Sequence, residues 1–194
     1  MSVPFVIEKG PKDQERMYDL YSRLLKDRII FIRGQFNQDM ADSVVAQLLF
    51  LETADNEKDI FMYINSPGGE LTALYAIYDV MTYVKPDIVT VGMGMCASAA
   101  SFVLAAGTNG KRFALPNTQI MIHELSTGTQ GKAGDVRNYV KHMETLHSRM
   151  ADYYVKFTGQ KLSKVKKDME RDYFMTSAEA IKYGLIDEVH ETRG

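Results

Sequence analysis

Ser98 is the first residue of the sequence whose type and setting point to chemistry. It ends the segment 94–98 (Gly-Met-Cys-Ala-Ser), which follows an apolar run and precedes an alanine-rich stretch. A serine at such a junction has two interpretations: it caps the N-terminus of the following helix, or a strand–turn–helix bend presents its hydroxyl as a nucleophile. The Gly-x-Ser-x-Gly form of the nucleophile turn is absent, because residue 96 is Cys and residue 100 is Ala. The spacing alone therefore favours the helix cap.

A nucleophilic serine needs a neighbouring base, because its hydroxyl is almost fully protonated at neutral pH. Of the four histidines, His142 and His147 fall inside a predicted long helix and His190 lies near the C-terminus. His123 ends the apolar run 120–122, and the end of a strand is where an imidazole can reach a neighbouring turn. His123 is therefore the candidate base, and an ordinary structural histidine is the alternative.

A third group has to orient the imidazole of the base. The residues alone leave five aspartates open for this role: Asp135, Asp152, Asp168, Asp172 and Asp187. Asp172 is attractive because it stands in the break between the charged segment 161–171, which is typical of a solvated helix face, and the aromatic pair Tyr173 and Phe174.

Two glycine-bearing turns, 66–69 and 94–98, each follow an apolar strand and precede a helix. Backbone N–H groups at such junctions can stabilise the oxyanion that develops in acyl transfer. Glycine lets the backbone approach a substrate closely and adopt unusual dihedral angles. Tight packing of helix on strand is the alternative explanation of both turns.

Strands and helices alternate along the chain, which predicts an α/β fold with mostly parallel strand pairing. Strand-like runs lie at 29–32, 60–64, 88–92, 112–115, 119–122 and 186–189. Helical patterns lie at 18–26, 39–53, 71–84 and 133–157; a further helix runs from the residue after Ser98 to 106, and a last one begins at 176. The strands are expected to stop at Gly34, at the break 65–69 and at the turn 94–98. Thr176 and Glu179 have capping-box spacing, and Gly184 fits the C-terminal cap of that helix.

Composition narrows the class of protein. The 194 residues suit one domain (1–194), and a formal net charge of -2 argues against nucleic acid as the main partner. Cys96 is the single cysteine, which excludes an intrachain disulfide and a CxxC zinc cluster. It is also a rival nucleophile, although its apolar setting indicates a buried, inert thiol. No secretion signal or bilayer-length apolar run is present, so we expect a protein of the bacterial cytoplasm, without a membrane partner.

Taken together, several motifs resemble the proteolytic subunit of the Clp proteases, the ClpP family (peptidase family S14). They are YDLYSRLL at 18–25, YINSPGG at 63–69, GKRF at 110–113, MIH at 121–123 and ERDYF at 170–174. The resemblance implies a serine endopeptidase of the endopeptidase Clp class with Ser98, His123 and Asp172 as its catalytic triad. It places the oxyanion-binding amides on Gly69 and Ala99. No metal or organic cofactor is implied in this subunit, because ATP is used by a partner ATPase.

The resemblance also implies an architecture: a crotonase-like fold of repeated ββα units, an N-terminal axial segment (about 1–18) and a protruding handle helix (about 124–158). Two stacked heptameric rings would enclose a chamber fed with unfolded polypeptide by a hexameric ATPase of the ClpX, ClpA or ClpC type. Glu170 and Arg171 match the inter-ring contact, and the strand beside His123 would bind an extended peptide. The ATPase-docking pocket matches an apolar set: Leu24, Phe50, Phe61, Tyr63 and Tyr83.

Some positions depart from the family's common pattern. Ala99 replaces Met after the nucleophile, Glu124 and Leu125 replace Gln-Pro, the pair 127–128 is Thr-Gly where Gly-Gly is usual, and His190 stands at an apolar pocket position. These departures suggest a divergent paralogue that works with a second ClpP-type partner in a mixed assembly. The alternatives are a crotonase-type acyl-CoA hydratase or isomerase, and a ring subunit without activity of its own.

Overall fold

The computed structural model describes residues 3–9, 14–126 and 128–192. The Thr127 departure lies outside these described residues. The described part of the chain contains nine strands and seven helices, in this order: β1 (Phe5–Lys9), β2 (Glu15–Asp19), α1 (Leu20–Lys26), β3 (Ile29–Phe36), α2 (Gln38–Ala54), β4 (Ile60–Gly69), α3 (Leu71–Tyr83), β5 (Ile88–Ala97), α4 (Ala99–Ala105), β6 (Arg112–Ala114), β7 (Gln119–Ile122), α5 (Ala133–Thr158), α6 (Leu162–Met169), β8 (Tyr173–Thr176), α7 (Ser177–Tyr183) and β9 (Glu188–Val189).

The main sheet is mostly parallel, as the strand–helix alternation predicts. Strands β3, β4, β5, β6 and β9 follow one another in that order with parallel pairing. The first part of β5 pairs with β6, whereas its last three residues pair in parallel with β7. Strand β8 then adds antiparallel to β7. Strand β5 therefore changes its partner from β6 to β7 just before Ser98. This change places β7 and β8 beside the C-terminal end of β5.

The core lies between the sheet and helices α2, α3 and α4. All seven residues of α4 are buried, which explains why the segment after Ser98 is rich in alanine. Phe102 of α4 meets Tyr78 of α3 edge to face at 5.2 Å and Phe157 of α5 at 5.1 Å. These aromatic contacts join the helix that follows Ser98 to the C-terminal half of α5.

Three predicted strand ends are wrong. Strand β4 continues through the predicted break to Gly69, and β5 continues through the predicted turn to Ala97. The β4–β5 register shifts between Ile64 and Ser66, after which Ser66 pairs with Cys96. Strand β3 likewise continues past Gly34 with a register shift. Irregular but continuous pairing thus replaces the expected turns, because a bulge absorbs the extra residues while the strands stay paired.

The sequence-based prediction lacks the strands β1 and β2 and describes α6 incompletely. The hairpin β1–β2 forms within the predicted axial segment, with Phe5, Ile7 and Met17 exposed. The charged segment 161–171 contains α6, whose Val165 and Met169 are fully buried. It is therefore a packed amphipathic helix and not only a solvated one.

Helix α5 ends one residue beyond its predicted span. Its apolar side chains differ in how far they are buried. Met150 is buried, whereas Val140, three turns earlier in the helix, is 46% exposed. The capping box of Thr176 and Glu179 is present, and Gly184 ends α7 at a φ of 96°. In the described ranges, no helix combines the length and the apolar character needed to cross a membrane.

Candidate active site

Ser98 sits directly after β5 in a conformation that is unusual for any residue but glycine. Its φ is 56° and its ψ is -120°, and its side chain makes no hydrogen bond to cap α4. The helix-cap interpretation is therefore wrong. A residue held in such a region costs on the order of 1–3 kcal/mol and persists only where its surroundings fix it.

The surroundings of Ser98 supply that restraint. Its backbone N–H donates to the carbonyl of Met121 at 2.9 Å, which extends the β5–β7 ladder by one step beyond Ala97. Its carbonyl accepts the N–H of Phe102 at 3.1 Å in the first turn of α4. The peptide groups on both sides of Ser98 are thus bound, and the side chain is free to face outward.

His123 follows the end of β7 and reaches Ser98. Its Nε2 lies 2.9 Å from the Oγ of Ser98, which is hydrogen-bonding distance. The β5–β7 pairing explains the contact, because Ala97 is opposite Met121 and the chain continues by one and two residues respectively. This geometry lets the imidazole accept the hydroxyl proton of the serine.

Asp172 precedes β8 and meets the other side of the imidazole. Its Oδ1 lies 3.2 Å from Nδ1 of His123, and its side chain is 60% exposed. The backbone N–H of Glu124 donates to the carbonyl of Met169 at 2.7 Å, which ties the residue after His123 to the end of α6. Ser98, His123 and Asp172 therefore form one continuous chain of contacts.

The other aspartates have different surroundings. Asp187 accepts three hydrogen bonds from the buried Arg112: two from its guanidinium group, at 2.6 Å and 2.9 Å, and one from its backbone N–H at 2.9 Å. Burial acts against ionisation of Asp187, but the hydrogen bonds and charge of Arg112 outweigh it and lower its pKa. Asp168 binds Lys164 and accepts the hydroxyl of Tyr183 at 2.9 Å. Asp135 and Asp152 lie exposed on α5. Of the five candidate aspartates, Asp172 is therefore the one that lies at the imidazole.

Cys96 is placed as a structural thiol. It is fully buried, and its Sγ lies 3.3 Å from the carbonyl oxygen of Ile64. Burial raises the pKa of this thiol to about 12, so it is protonated at neutral pH. A buried thiol of this kind is a poor nucleophile.

Gly68, the first glycine after Pro67, packs directly against Ser98. A Cβ built on Gly68, where φ is 94°, would lie 2.7 Å from both the Ala97 carbonyl oxygen and the Ser98 Cβ. It would also lie 3.1 Å from the backbone nitrogen of Ala99. The 66–69 segment can therefore pack against the Ser98 bend only because residue 68 has no side chain.

A cavity of about 610 Å³ opens in front of Ser98 and His123. Its lining includes Gly69, and α5 forms a wall through four residues that lie within two turns of the helix: Tyr139, His142, Met143 and Leu146. His142, one of the two histidines of the predicted long helix, is exposed and lines this cavity. Met143 and Leu146 are apolar residues at helical spacing, and this spacing was the sequence signal that could have found the wall.

The residues expected to dock an ATPase fall into two groups. Leu24, Phe61 and Tyr63 line one apolar cavity of about 720 Å³. His190 lines the same cavity, with its ring stacked 3.9 Å from that of Phe113. The exposed side chains of Phe50 and Tyr83 are not part of this cavity in one chain.

The remaining predicted residues lie near the site but outside it. Glu170 and Arg171 are both exposed, between α6 and Asp172. Strand β7, which precedes His123, is paired on both sides by β5 and β8. The expectation that this strand binds a peptide along its edge is therefore wrong, because an occupied strand has no free hydrogen-bonding edge.

The fold and the site together define an α/β protein in which a strained serine and a histidine line a cavity, and an aspartate contacts the other side of the histidine ring. Comparison with known protein families matches the family model described as Clp protease over residues 12–193. The chain therefore belongs to the Clp protease family, as the sequence motifs indicate. Membership makes it a peptidase, the proteolytic subunit of a Clp protease.

Proposed function

We propose that the chain is a serine endopeptidase subunit that cleaves unfolded polypeptides to short peptides through an acyl-enzyme. The observation that carries this proposal is the contact of 2.9 Å between Ser98 Oγ and His123 Nε2, with Asp172 at the far side of the imidazole. In this arrangement His123 accepts the serine proton while Oγ attacks the scissile carbonyl. Asp172 holds the imidazole in the required orientation and stabilises its protonated form.

The oxyanion of the tetrahedral intermediate would be bound by the backbone amides of Gly69 and Ala99. Gly69 lines the cavity beside Ser98, and Ala99 is the residue directly after the nucleophile. Backbone donors of this kind are fixed before the reaction, so they stabilise the developing charge without reorganising. His123 then donates its proton to the leaving amine, and a water molecule activated by the same imidazole releases the acyl group.

The substrate is proposed to lie extended in the cavity of about 610 Å³, between the 69–72 segment and the wall formed by α5. Both borders contribute to that cavity, and Leu71, Leu125 and Leu146 are the leucines that line it. An apolar wall of this kind favours peptides with an apolar side chain next to the scissile bond. The mechanism uses side chains and backbone amides of this chain and needs no metal or organic cofactor here.

We further propose one domain over 1–194 that assembles, alone or mixed with a second paralogue, into two stacked heptameric rings with a hexameric Clp ATPase. The apolar cavity with Leu24, Phe61 and Tyr63 supports docking of the ATPase. Phe50 and Tyr83, exposed elsewhere on the chain, would complete such a pocket from a neighbouring subunit. The handle (about 124–158) and the pair Glu170 and Arg171 would lie between the rings, and we place the assembly in the bacterial cytoplasm.

The test is hydrolysis of a fluorogenic peptide by the wild type, Ser98→Ala and the control Ser126→Ala, which alters another serine of the same cavity. Each is measured alone and after mixing with a second ClpP-type paralogue, with the mass of the assembly recorded. Loss of a triad member should lower turnover by about 10⁴–10⁶-fold. Retention of ordinary turnover by Ser98→Ala would refute the assignment, and turnover of an enoyl-CoA would favour the hydratase alternative.

A further inference from the structure

A buried hydrogen-bond relay links helix α5 to the residue that carries the nucleophile. Ser101 Oγ lies 2.8 Å from the carbonyl oxygen of Ser98 and 3.0 Å from Oη of Tyr154. Ser101 is fully buried and Tyr154 is 1% exposed, so water cannot replace either partner easily. A buried hydroxyl without a partner is costly, so these two groups depend on each other.

The direction of the protons in this relay follows from simple counting. Each hydroxyl carries one proton, and the Ser98 carbonyl can only accept. Ser101 therefore donates to Ser98, and Tyr154 donates to Ser101. Burial raises the pKa of the Tyr154 hydroxyl, so this group remains a protonated donor over the working range of pH.

The carbonyl at the end of the relay belongs to the peptide unit that joins Ser98 to Ala99. It accepts both the Ser101 hydroxyl at 2.8 Å and the Phe102 N–H at 3.1 Å. In a planar trans peptide the carbonyl and the N–H point in opposite directions. Holding the Ser98 carbonyl toward the interior therefore directs the Ala99 N–H away from it.

The same peptide unit follows a strained residue, so the restraint decides which way the Ala99 N–H points. Ser98 has a φ of 56° and a ψ of -120°, and rotation about ψ would relieve the strain by tilting the 98–99 peptide. The Ser101 hydroxyl opposes that rotation. It also polarises the peptide group, and hydrogen bonds in such chains strengthen one another.

Packing alone does not explain the Tyr154 hydroxyl. The ring of Tyr154 meets that of Phe102 at 5.7 Å, and a phenylalanine would fill the same volume. The hydroxyl adds a polar atom to an almost fully buried position, where its contact is Ser101. A role that acts through Ser101 on the Ser98 peptide accounts for its presence.

We infer that Ser101 and Tyr154 are positioning residues that aim the Ala99 amide at the oxyanion; the inference rests on the function proposed above. Helix α5 then contributes twice to the site, with its first half as the cavity wall and its second half as the source of the relay. Neither residue touches the substrate. Their loss should weaken binding of the tetrahedral adduct and leave binding of the uncharged peptide unchanged.

The experiment compares a peptide aldehyde, which forms a hemiacetal with Ser98, with the corresponding peptide alcohol, which cannot. Dissociation constants are measured for the wild type, Tyr154→Phe, Ser101→Ala, the double variant and Tyr153→Phe, a control in the same aromatic cluster. We expect Tyr154→Phe to weaken aldehyde binding about three- to tenfold, the range of one neutral hydrogen bond, with the alcohol unaffected. The double variant should bind the aldehyde no more weakly than Ser101→Ala does.

Equal weakening of aldehyde and alcohol binding, or unchanged aldehyde binding in both single variants, would overturn the inference. Melting temperatures of all variants are recorded, and Ser101→Ala supplies a second test if Tyr154→Phe is poorly folded. If the wild type binds the aldehyde no better than the alcohol, or Ser98→Ala keeps the preference, the proposed nucleophile itself fails. The two failures are therefore distinguishable.

Discussion

His123 and Asp172 stand opposite each other at the next position of the β7–β8 register. The ladder pairs Gln119 with Thr176 and ends with Ile122 opposite Tyr173, so the residue after one strand faces the residue before the other. The distance of 3.2 Å between Nδ1 and Oδ1 is the consequence. The antiparallel pairing of two short strands thus brings together residues that are far apart in the sequence.

Replacing Asp172 with asparagine should impair catalysis without impairing folding. The amide can keep the contact with Nδ1 but favours the wrong tautomer of the imidazole, and in another serine peptidase such a change lowers kcat by about 10⁴-fold. The side chain is 60% exposed, so its replacement should change stability little. Peptide turnover and urea unfolding are compared with Asp152→Asn, which alters an exposed aspartate of α5. Turnover near the wild-type level would contradict the assignment.

The Gly68→Ala variant should lose both activity and stability. The added Cβ would meet backbone and Cβ atoms of residues 97 and 98 at 2.7 Å, and φ at this glycine is 94°. Gly110→Ala is a matched control, because its φ is 82° with no atom within 4 Å of the new Cβ.

The control isolates the backbone penalty, which is about 1 kcal/mol. We expect Gly110→Ala to keep full peptidase activity. Gly68→Ala should lose at least about 100-fold, because displacing the Ser98 bend also displaces the Ala99 amide, and a misplaced oxyanion donor has about this effect. Thermal unfolding and peptide turnover are the two measurements. Similar behaviour of the two variants would show that contact with the Ser98 bend does not matter.

The ion pair of Arg112 and Asp187 should make stability depend on pH below about 4, where an unfolded aspartate titrates. The folded pKa of Asp187 is lowered, so its contribution to stability is present above the unfolded pKa and is lost as pH falls through the folded pKa. Urea unfolding at pH 6 and at pH 3 measures this loss. The Asp187→Asn variant should lose about 3 kcal/mol at pH 6, because Arg112 remains buried without its counter-charge. Its stability should then fall less between pH 6 and pH 3 than that of the wild type.

Cys96 should be unreactive in the folded protein. Burial raises its pKa to about 12, so a thiol reagent at pH 8 meets a protonated and inaccessible group. We expect no modification until denaturant is added, and one equivalent afterwards. The Cys96→Ser variant should keep its peptidase activity, since serine can still donate to the Ile64 carbonyl. Loss of activity with intact folding would reopen the thiol as a nucleophile.

The apolar cavity should matter for protein degradation and not for peptide cleavage. Tyr63→Ala removes an aromatic side chain that lines it, and Phe31, on the neighbouring strand, stacks on that ring at 5.7 Å. We expect loss of ATPase-dependent degradation of a folded protein, with hydrolysis of a small peptide retained. Ile181→Ala, which changes an exposed apolar residue outside this cavity, is the control. Equal losses in both assays would point to damage of the fold.

Sequence patterns predicted the strand–helix alternation and the capping box because these depend on local periodicity and spacing. They could not separate the nucleophile from the helix cap at Ser98, since both place a serine at the same junction. The distinguishing feature is the φ of 56°, which arises from pairing with Met121 far along the chain. The choice of Asp172 among five aspartates depended on the family motifs, because the β7–β8 register is a long-range contact. The link from Ser101 to α5 could not be predicted locally, because its contact with Tyr154 joins residues 53 positions apart.

The proposal that His123 activates Ser98 as a nucleophile is tested most simply with a fluorophosphonate, a reagent that reacts with an activated serine. The measurement locates the covalent adduct that this reagent forms. The protein is labelled at pH 7.5, and the modified residue is identified by mass spectrometry of its proteolytic fragments. We expect one adduct per chain, on Ser98, formed at a rate that falls sharply in His123→Ala. An adduct on any other residue, or equally rapid labelling of Ser98 without His123, would contradict the proposal.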